Sequence, residues 1–521
     1  MADNYQDTTF PSIDFYSSEG FEISLRCKQN KIERVIPRTG LINNYGLISP
    51  KMGNFPEQLR QCTRLTKPLK RIGEELIEIS FNEALDIIAT AIKNANPNEN
   101  AFFAGARLSN EMLYQIQKLS RTVFRSNNIG SFHYFEQNKG WYDLDKNDNV
   151  QLNELEGCSA ITILGNGVAQ ANPLIVSLLQ QIRNEKNIPV TSIHILPNEC
   201  EHVDKQIIIN SYYSFIKAIN HYLVFHDLQQ GIFVQALSEE FNDYKMQLLK
   251  EEYGKLLQQA GVSDEIVFDF VVSFLKEPNP VVIFSESDIT EHCAREVLNL
   301  FLLSGKNGVP SSGVLDLKEK NNTQGLFDMG INSRFGVGRQ IFDDRYLTQL
   351  KTLWNFDDID ISPVDVERSI MSGASKNVFI FGEDPIGCVK DESHQDILKY
   401  AEFIVVQDYF LTETAKIADI ILPDSFPFET GGSFTNTTKI IQQFSKVVDS
   451  PLEYDNLEQL AEIAKRFNIQ TETSPDMIFL EYVQFLPTGC SGKSRHKFIY
   501  TKQDSQSSLF KAGCDALMNS N

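Results

Sequence analysis

Short apolar runs that stop at glycine- or aspartate-bearing loops and then give way to helical periodicity constrain this chain more than any other feature. Ala160-Ile161-Thr162-Ile163-Leu164 ends at Gly165-Asn166-Gly167, a helical pattern follows from Pro173 to Lys186, and Val190–Leu196 is the next apolar run. Continuous rather than alternating apolarity marks a strand buried on both faces, and strand–helix–strand marks a right-handed βαβ unit on a parallel sheet. A similar unit begins at Val281-Val282-Ile283-Phe284 and enters a helix ending near Gly305. Val378–Phe381, Phe403–Gln407 and Asp419–Leu422 are further buried-strand candidates, followed by Gly382-Glu383-Asp384-Pro385, Asp408-Tyr409-Phe410 and Pro423. Loops at such strand ends are where open α/β sheets bind ligands. The chain reads as α/β, with at least two doubly wound parallel sheets.

The first ~65 residues have another texture, with short extended pieces at Phe21–Arg26 and Ile32–Ile36 between polar turns, as in a small β-rich module. A helix opens at Phe81 and runs to about Ala95, with Asn82 as its expected cap and Leu85, Ile88 and Ile92 on one face. A second runs from Asn110 to Phe124 with Ser109 as its cap, and a third spans Leu457–Arg466. Asp504 to Asn521 is polar and reads as a frayed tail.

With 521 residues the chain has room for several buried cores, and its formal charge of −21 excludes the basic face that nucleic acid or an anionic membrane would need. No stretch approaches the roughly 18 continuous apolar residues of a spanning helix, and Met1 to Tyr16 has no targeting layout. The cysteines at 27, 62, 158, 200, 293, 388, 490 and 514 form no knuckle, so no local motif for zinc or iron–sulfur exists and they read as small buried hydrophobes. Gly165-Asn166-Gly167 lacks the dinucleotide spacing and reads as a structural turn. The histidines are isolated and read as core or solvated residues. Glu383-Asp384 and Asp391-Glu392 are carboxylate pairs of the kind a strongly acidic chain contains in any case.

Several longer stretches together resemble the molybdopterin oxidoreductase superfamily, which includes formate dehydrogenase-type catalytic subunits and the large peripheral-arm subunit of respiratory complex I. They are Arg64-Leu65-Thr66-Lys67-Pro68-Leu69 with Ile79 to Leu85, Ser109-Asn110-Glu111 through Arg121 to Asn127-Asn128, and Asn321-Asn322-Thr323-Gln324-Gly325 to Gly330. Gly382-Glu383-Asp384-Pro385, Asp408 to Ala415, Ala418 to Pro423 and Gly432 to Asn436 continue the pattern in family order. The resemblance implies a small cluster-binding domain at 1–66, a discontinuous α/β domain from 67–137 and 338–470, a Rossmann-like α/β domain inserted at 138–337, and a C-terminal extension at 471–521. It also implies bis(guanine dinucleotide) pterin carrying molybdenum or tungsten. The ~55 residues after the Leu457–Arg466 helix are too few for the barrel that usually covers that cofactor.

The departures from the family pattern concern its chemistry. The cysteine positions of the family's iron–sulfur motif fall on Asp14, Ser17, Phe21 and Ser49. Phenylalanine cannot ligate iron and serine rarely does, so no [4Fe–4S] cluster is expected. The metal-ligand position falls on Glu136, and the following histidine position on Gln137, which cannot act as a general base near neutral pH. On one side of the expected pterin site the loop before Asn172-Pro173 is Gly165-Asn166-Gly167, and the diphosphate-binding arginine position is Asn198 of Leu196-Pro197-Asn198. On the other side, Lys51, Asn322, Gln324, Gly382, Asp384, Asp408, Thr412 and Thr414 keep family residue types and are the candidates for holding pterin or nucleotide. Their Gly, Asp and Thr equally suit strand-to-helix turns and helix caps.

The reading implied is a non-catalytic structural subunit of an NADH dehydrogenase-like (complex I-like) or related electron-transfer complex, with no catalytic residue and no metal. No cofactor is expected, and molybdopterin guanine dinucleotide is the one its loops leave open. Its partners would be iron–sulfur and flavin subunits, on other polypeptides, in a cytoplasm or organelle matrix and at a membrane's inner face through the complex. The alternatives are an active molybdenum or tungsten oxidoreductase with Glu136 as metal ligand, and a nucleotide-binding or cofactor-chaperone module using Asp384, Asp408 and Thr412.

Overall fold

The computed structural model describes residues 8–135, 149–165, 167–195, 203–232, 234, 238–388, 396–486 and 496–502. It opens on a three-stranded antiparallel sheet, β1 (Thr8–Ile13), β2 (Glu22–Lys28) and β3 (Lys31–Pro37). Gln29 and Asn30 both adopt positive φ (51° and 58°), the conformation that a two-residue hairpin loop needs to match strand twist. Ile13, Ile23, Leu25 and Val35 on this sheet pack with Phe15, Phe55, Phe426, Phe428, Phe434 and Phe444 in one apolar cluster.

Next come the hairpin β4 (Leu69–Ile72) and β5 (Glu75–Glu78), then β6 (Asn100–Ala104) and β7 (Ile129–Gly130). The chain crosses into a second sheet with β8 (Ala160–Leu164), β9 (Val190–His194) and β10 (Lys205–Ile208). The short β11 (Ser238–Glu239) is followed by β12 (Pro280–Ser285) and β13 (Gly313–Leu317) of that second sheet. The chain then returns to the first with β14 (Asn377–Phe381), β15 (Phe403–Asp408) and β16 (Ile420–Pro423), before the hairpin β17 (Gly432–Thr435) and β18 (Ile441–Phe444). The large sheet has order β5-β4-β16-β15-β14-β6-β7, parallel from β16 to β7, and the second has the all-parallel order β10-β9-β8-β12-β13. Every residue of β6, β12, β13 and β14 is buried, as strands covered on both faces must be. The fold is thus mixed α/β with two parallel sheets.

The helices form where apolar spacing and caps agree. Pro173–Lys186 matches its expected limits, and Glu291–Ser304 ends at Gly305 in the left-handed conformation. Phe81–Asn94 is capped by Ser80, whose hydroxyl accepts from the Glu83 amide, and not by Asn82, which lies inside the first turn. The local signal was a serine three residues before a glutamate. β9 ends at His194, and β16 begins one residue after Asp419, whose carboxylate instead accepts from the Ile404 amide at 2.8 Å.

The helix Asn110–Thr122, capped by Ser109, is buried along its whole length despite its polar content. Arg121 is fully enclosed and donates to Gln117 Oε1, to Asn127 Oδ1 at 2.9 Å, and to the Gly330 and Asn332 carbonyls. Asn127 in turn donates to the Ser333 and Ser362 carbonyls at 2.7 and 2.9 Å. Removing a guanidinium that satisfies several buried acceptors leaves each of them desolvated, at about 1–3 kcal/mol apiece. Arg121→Met is expected to destabilise the chain by about 3 kcal/mol or more, read as a lower urea midpoint at unchanged m-value.

Candidate functional site

The carboxyl ends of the two parallel sheets face each other across a seam, and the polar residues there define the candidate site. From the large sheet, β7 runs into Ser131-Phe132-His133 and β14 into Gly382-Glu383-Asp384. From the second sheet, β12 runs into Glu286 and β13 into Lys318-Glu319. His133 Nε2 lies 3.2 Å from Glu286 Oε1, which also accepts from the Glu319 amide at 2.8 Å. Lys318 Nζ sits 2.7 Å from Asp316 Oδ2 and 3.9 Å from Glu286 Oε2. Farther along, Arg107 donates to Asn321 Oδ1 at 3.2 Å and to the Phe15 carbonyl at 3.4 Å, and the Asn322 amide donates to the Ala106 carbonyl.

The electrostatics follow from burial and pairing. Burial alone would raise the Glu286 carboxyl, but the hydrogen bond and charge of His133, the charge of Lys318 and the Glu319 amide together hold it at about 2. Glu383 is pushed up to about 7 by burial, against the opposing effects of Lys320, Ser131 and the Phe132 and His133 amides. Asp408 also reaches about 7, through burial and the neighbouring Asp384 charge. Asp424, at the next strand end, is raised further by burial and by Asp408.

The sequence-level candidates divide. Glu136 and Gln137 lie outside the described residues, as do Asn166, Leu196-Pro197-Asn198, Asp391-Glu392, Cys200, Cys490, Cys514 and the tail from Asp504. At the cluster positions, Asp14 Oδ2 accepts from Ser49 Oγ at 2.8 Å, and Asp14 Oδ1 accepts from the Tyr16 and Ser17 amides at 2.8 and 3.3 Å. Ser49 also caps the helix Pro50–Gly53, and Phe21 is fully buried in the apolar core of the second sheet. A cubane needs thiolate donors held apart around its own volume; a direct Asp–Ser contact and an apolar plug do not fit one.

The pterin candidates are largely engaged within the chain. Asp384 Oδ1 accepts from the Thr414 hydroxyl and amide at 2.6 and 2.9 Å and from the Gly387 amide at 3.0 Å. Thr412 accepts from the Ala415 amide, and Asp408 from the Tyr409 amide at 2.6 Å. Asn322 donates to the Leu108 carbonyl and Asn110 Oδ1 and accepts from the Thr435 amide, while Gln324 donates to Asp328. Gly382 takes positive φ (63°), a turn conformation, and Lys51 is exposed. Of the acid pair Glu383-Asp384, Glu383 accepts from Ser131 Oγ at 2.6 Å and from the Phe132 and His133 amides.

Sequence reasoning missed the His133–Glu286–Lys318–Asp316 cluster, since histidines read as isolated and no motif joins positions so far apart. It also missed Asp288, whose carboxylate accepts from the Gly167 amide at 2.7 Å and lies where a Cβ on Gly165 would meet it at 2.3 Å. The loop that ends β8 therefore closes on a carboxylate of its own chain. Cys27, Cys158 and Cys293 are buried as expected, whereas Cys62 and Cys388 are exposed. Among the described residues no group of three His, Cys, Asp or Glu is placed to hold a metal.

Two sheets that are largely or wholly parallel, meeting at their carboxyl ends, put this chain among the open α/β proteins whose strand ends form a ligand crevice. The fold is similar to that of acetylene hydratase from Pelobacter acetylenicus, with a TM-score of 0.65 over 88% of this chain and 69% of that chain at 15% identity. The molybdopterin oxidoreductase family profile matches residues 64–466, and the chain belongs to that family. It is 28% identical over 456 residues to the F420-dependent formate dehydrogenase 2 subunit alpha of Methanococcus maripaludis, covering 84% of this chain and 67% of that relative. The F420-dependent formate dehydrogenase subunit alpha of Methanocaldococcus jannaschii is also 28% identical, over 460 residues, with the same coverage of 84% and 67%. The chain thus spans about two-thirds of these relatives' length.

Opposite pH signs follow from the seam. Glu286 lies below its ordinary value, so its contribution is present above about pH 4.3 and is lost as pH falls toward 2. Glu383 and Asp408 lie above theirs, so their contribution is full below about pH 4 and is lost as pH rises through 7. The urea midpoint should therefore fall between pH 5.5 and 8, and Asp408→Asn should make that fall smaller.

Proposed function

We propose that this chain is a non-catalytic structural subunit of an electron-transfer complex, built on a molybdopterin oxidoreductase fold that no longer carries a cluster or metal site. The observation that carries the reading is the direct Asp14–Ser49 hydrogen bond, with Phe21 as an apolar plug, at the positions where the family pattern has cluster cysteines. Without a cluster, electrons have no relay at this end of the fold. The expected pterin loops support the same reading, since Asp384 accepts from Thr414 and Asp288 accepts from the Gly167 amide.

The complex would be an NADH dehydrogenase-like or formate-linked assembly, with iron–sulfur and flavin subunits as neighbours and this chain as the scaffold between them. Among the described residues no helix is long and apolar enough to cross a membrane, so any membrane association would run through those partners. Formate dehydrogenase-type relatives favour the competing reading, an active molybdenum or tungsten enzyme with Glu136 as ligand.

Elemental analysis and pterin extraction of the full chain, purified from a host that makes the molybdenum cofactor, separate these readings. Less than a tenth of an equivalent of Mo, W, Fe and pterin is expected, with capture of cysteine-rich flavin and iron–sulfur chains from the native source. Stoichiometric Mo or W with formate-dependent dye reduction would overturn the scaffold reading.

A further inference from the structure

Glu19 is a buried acid that nothing above accounts for. It lies on the turn between Asp14 and β2 and is fully buried; no well-formed hydrogen bond reaches either carboxyl oxygen, and the polar side chains near enough to interact with it are those of Ser17 and Asn172. The side chain cannot easily swing away, because the turn is held along its backbone. The Ser18 carbonyl accepts from the Thr437 amide at 2.7 Å, the Glu19 carbonyl from Asn436 Nδ2 at 3.1 Å, and the Gly20 carbonyl from Gln442 Nε2 at 2.7 Å.

Its neighbours supply more oxygen and no positive charge. Asp14, Asn172 and Ser17 face it. Asp14 is satisfied by Ser49 and two amides, while Ser17 Oγ and Asn172 Oδ1 are themselves buried and unpartnered. The amide nitrogen of Asn172 is spent on Ser18 Oγ and the Lys318 carbonyl, both at 3.0 Å, which fixes how its carbonyl end points. Arg107, the cation whose charge reaches Asp14, is engaged by the Phe15 carbonyl and Asn321. Buried acceptors are almost always paired, and a buried carboxylate without a partner is costly.

We propose that Glu19, with Ser17 Oγ and Asn172 Oδ1, binds a hard monovalent cation of the sodium or potassium class. An all-oxygen donor set selects alkali and alkaline-earth ions over iron, copper or zinc. Burial pushes the Glu19 carboxyl up to about 7, so a bound cation would hold as carboxylate an acid that otherwise keeps its proton. One carboxylate balances a single positive charge, whereas dedicated divalent sites draw on more. The ion would tie the N-terminal module, through Glu19 and Ser17, to Asn172 at the start of the helix Pro173–Lys186 on the second sheet. The site needs no catalysis and holds whether or not the chain is a scaffold.

The test uses the full chain exchanged into choline chloride at constant ionic strength. Thermal unfolding is followed on adding NaCl, KCl, MgCl2 or CaCl2 in place of choline, and bound sodium and potassium are measured by atomic emission after equilibrium dialysis. Sodium or potassium is expected to raise the Tm saturably by several degrees with about one ion retained per chain. Glu19→Gln is expected to abolish that rise while melting in choline no lower than the wild type. Equal melting in choline and in both alkali salts would overturn the proposal, as would stabilisation by divalent ions alone or an undiminished alkali effect in Glu19→Gln. Should that variant fail to fold, retention of less than a tenth of an alkali ion per wild-type chain would overturn it equally.

Discussion

The rest of this structure depends on a polar helix that is buried from end to end. Asn110–Thr122 sits where the large sheet, the β17–β18 hairpin and the helix Pro475–Tyr482 converge, and its polar side chains are tolerable because most of them are hydrogen-bonded. Asn110 reaches Ser433 and Thr435, Glu111 accepts from the Ser433 amide and hydroxyl, and Arg121 gathers the carbonyls of the 330–335 turn. A hydrophobic helix would pack with more freedom of rotation and register. This one is held by specific hydrogen bonds, and they fix Asn322 and the β17–β18 hairpin against it.

The seam it positions is charged but internally balanced. The Glu286 pairing with His133 and Lys318 spans the two sheets, so the charge that keeps this acid ionised comes partly from the other half of the molecule. Glu383 and Asp408 face no such close cation, and burial raises both to about 7. At these strand ends two carboxylates accept from nearby groups of the same chain: Asp288 from the Gly167 amide, and Asp384 from the amide and hydroxyl of Thr414.

Much of the fold was legible from local pattern. The helix Pro173–Lys186, the Ser109 cap and the β8, β12, β14 and β15 runs stand where apolar spacing put them, because burial on both faces leaves an uninterrupted signature within five or six residues. The Ser80 cap was mistaken for Asn82, a neighbour of equally good capping chemistry, and only the backbone turn decided between them. The site was far less legible. Gly382, Asp384, Asp408, Thr412 and Thr414 were found as loop residues, yet nothing local distinguishes a carboxylate that faces a ligand from one that caps a turn. His133 carried no signal at all, since its partner Glu286 lies 153 residues away.

By itself the sequence determined the α/β class, the order of its strands and helices, and the lack of closely spaced cysteines, because periodicity, capping and residue identity are local properties. Only the tertiary structure decided which polar groups satisfy one another. Asp14 with Ser49, Arg64 with Glu429, and Glu383 with Ser131 are pairs distant in the chain, and each is chosen by where the sheets and turns bring their oxygens and nitrogens. That same placement leaves Glu19 enclosed without a well-formed hydrogen bond, since a buried acid acquires its cost from the surroundings and not from its neighbours in sequence.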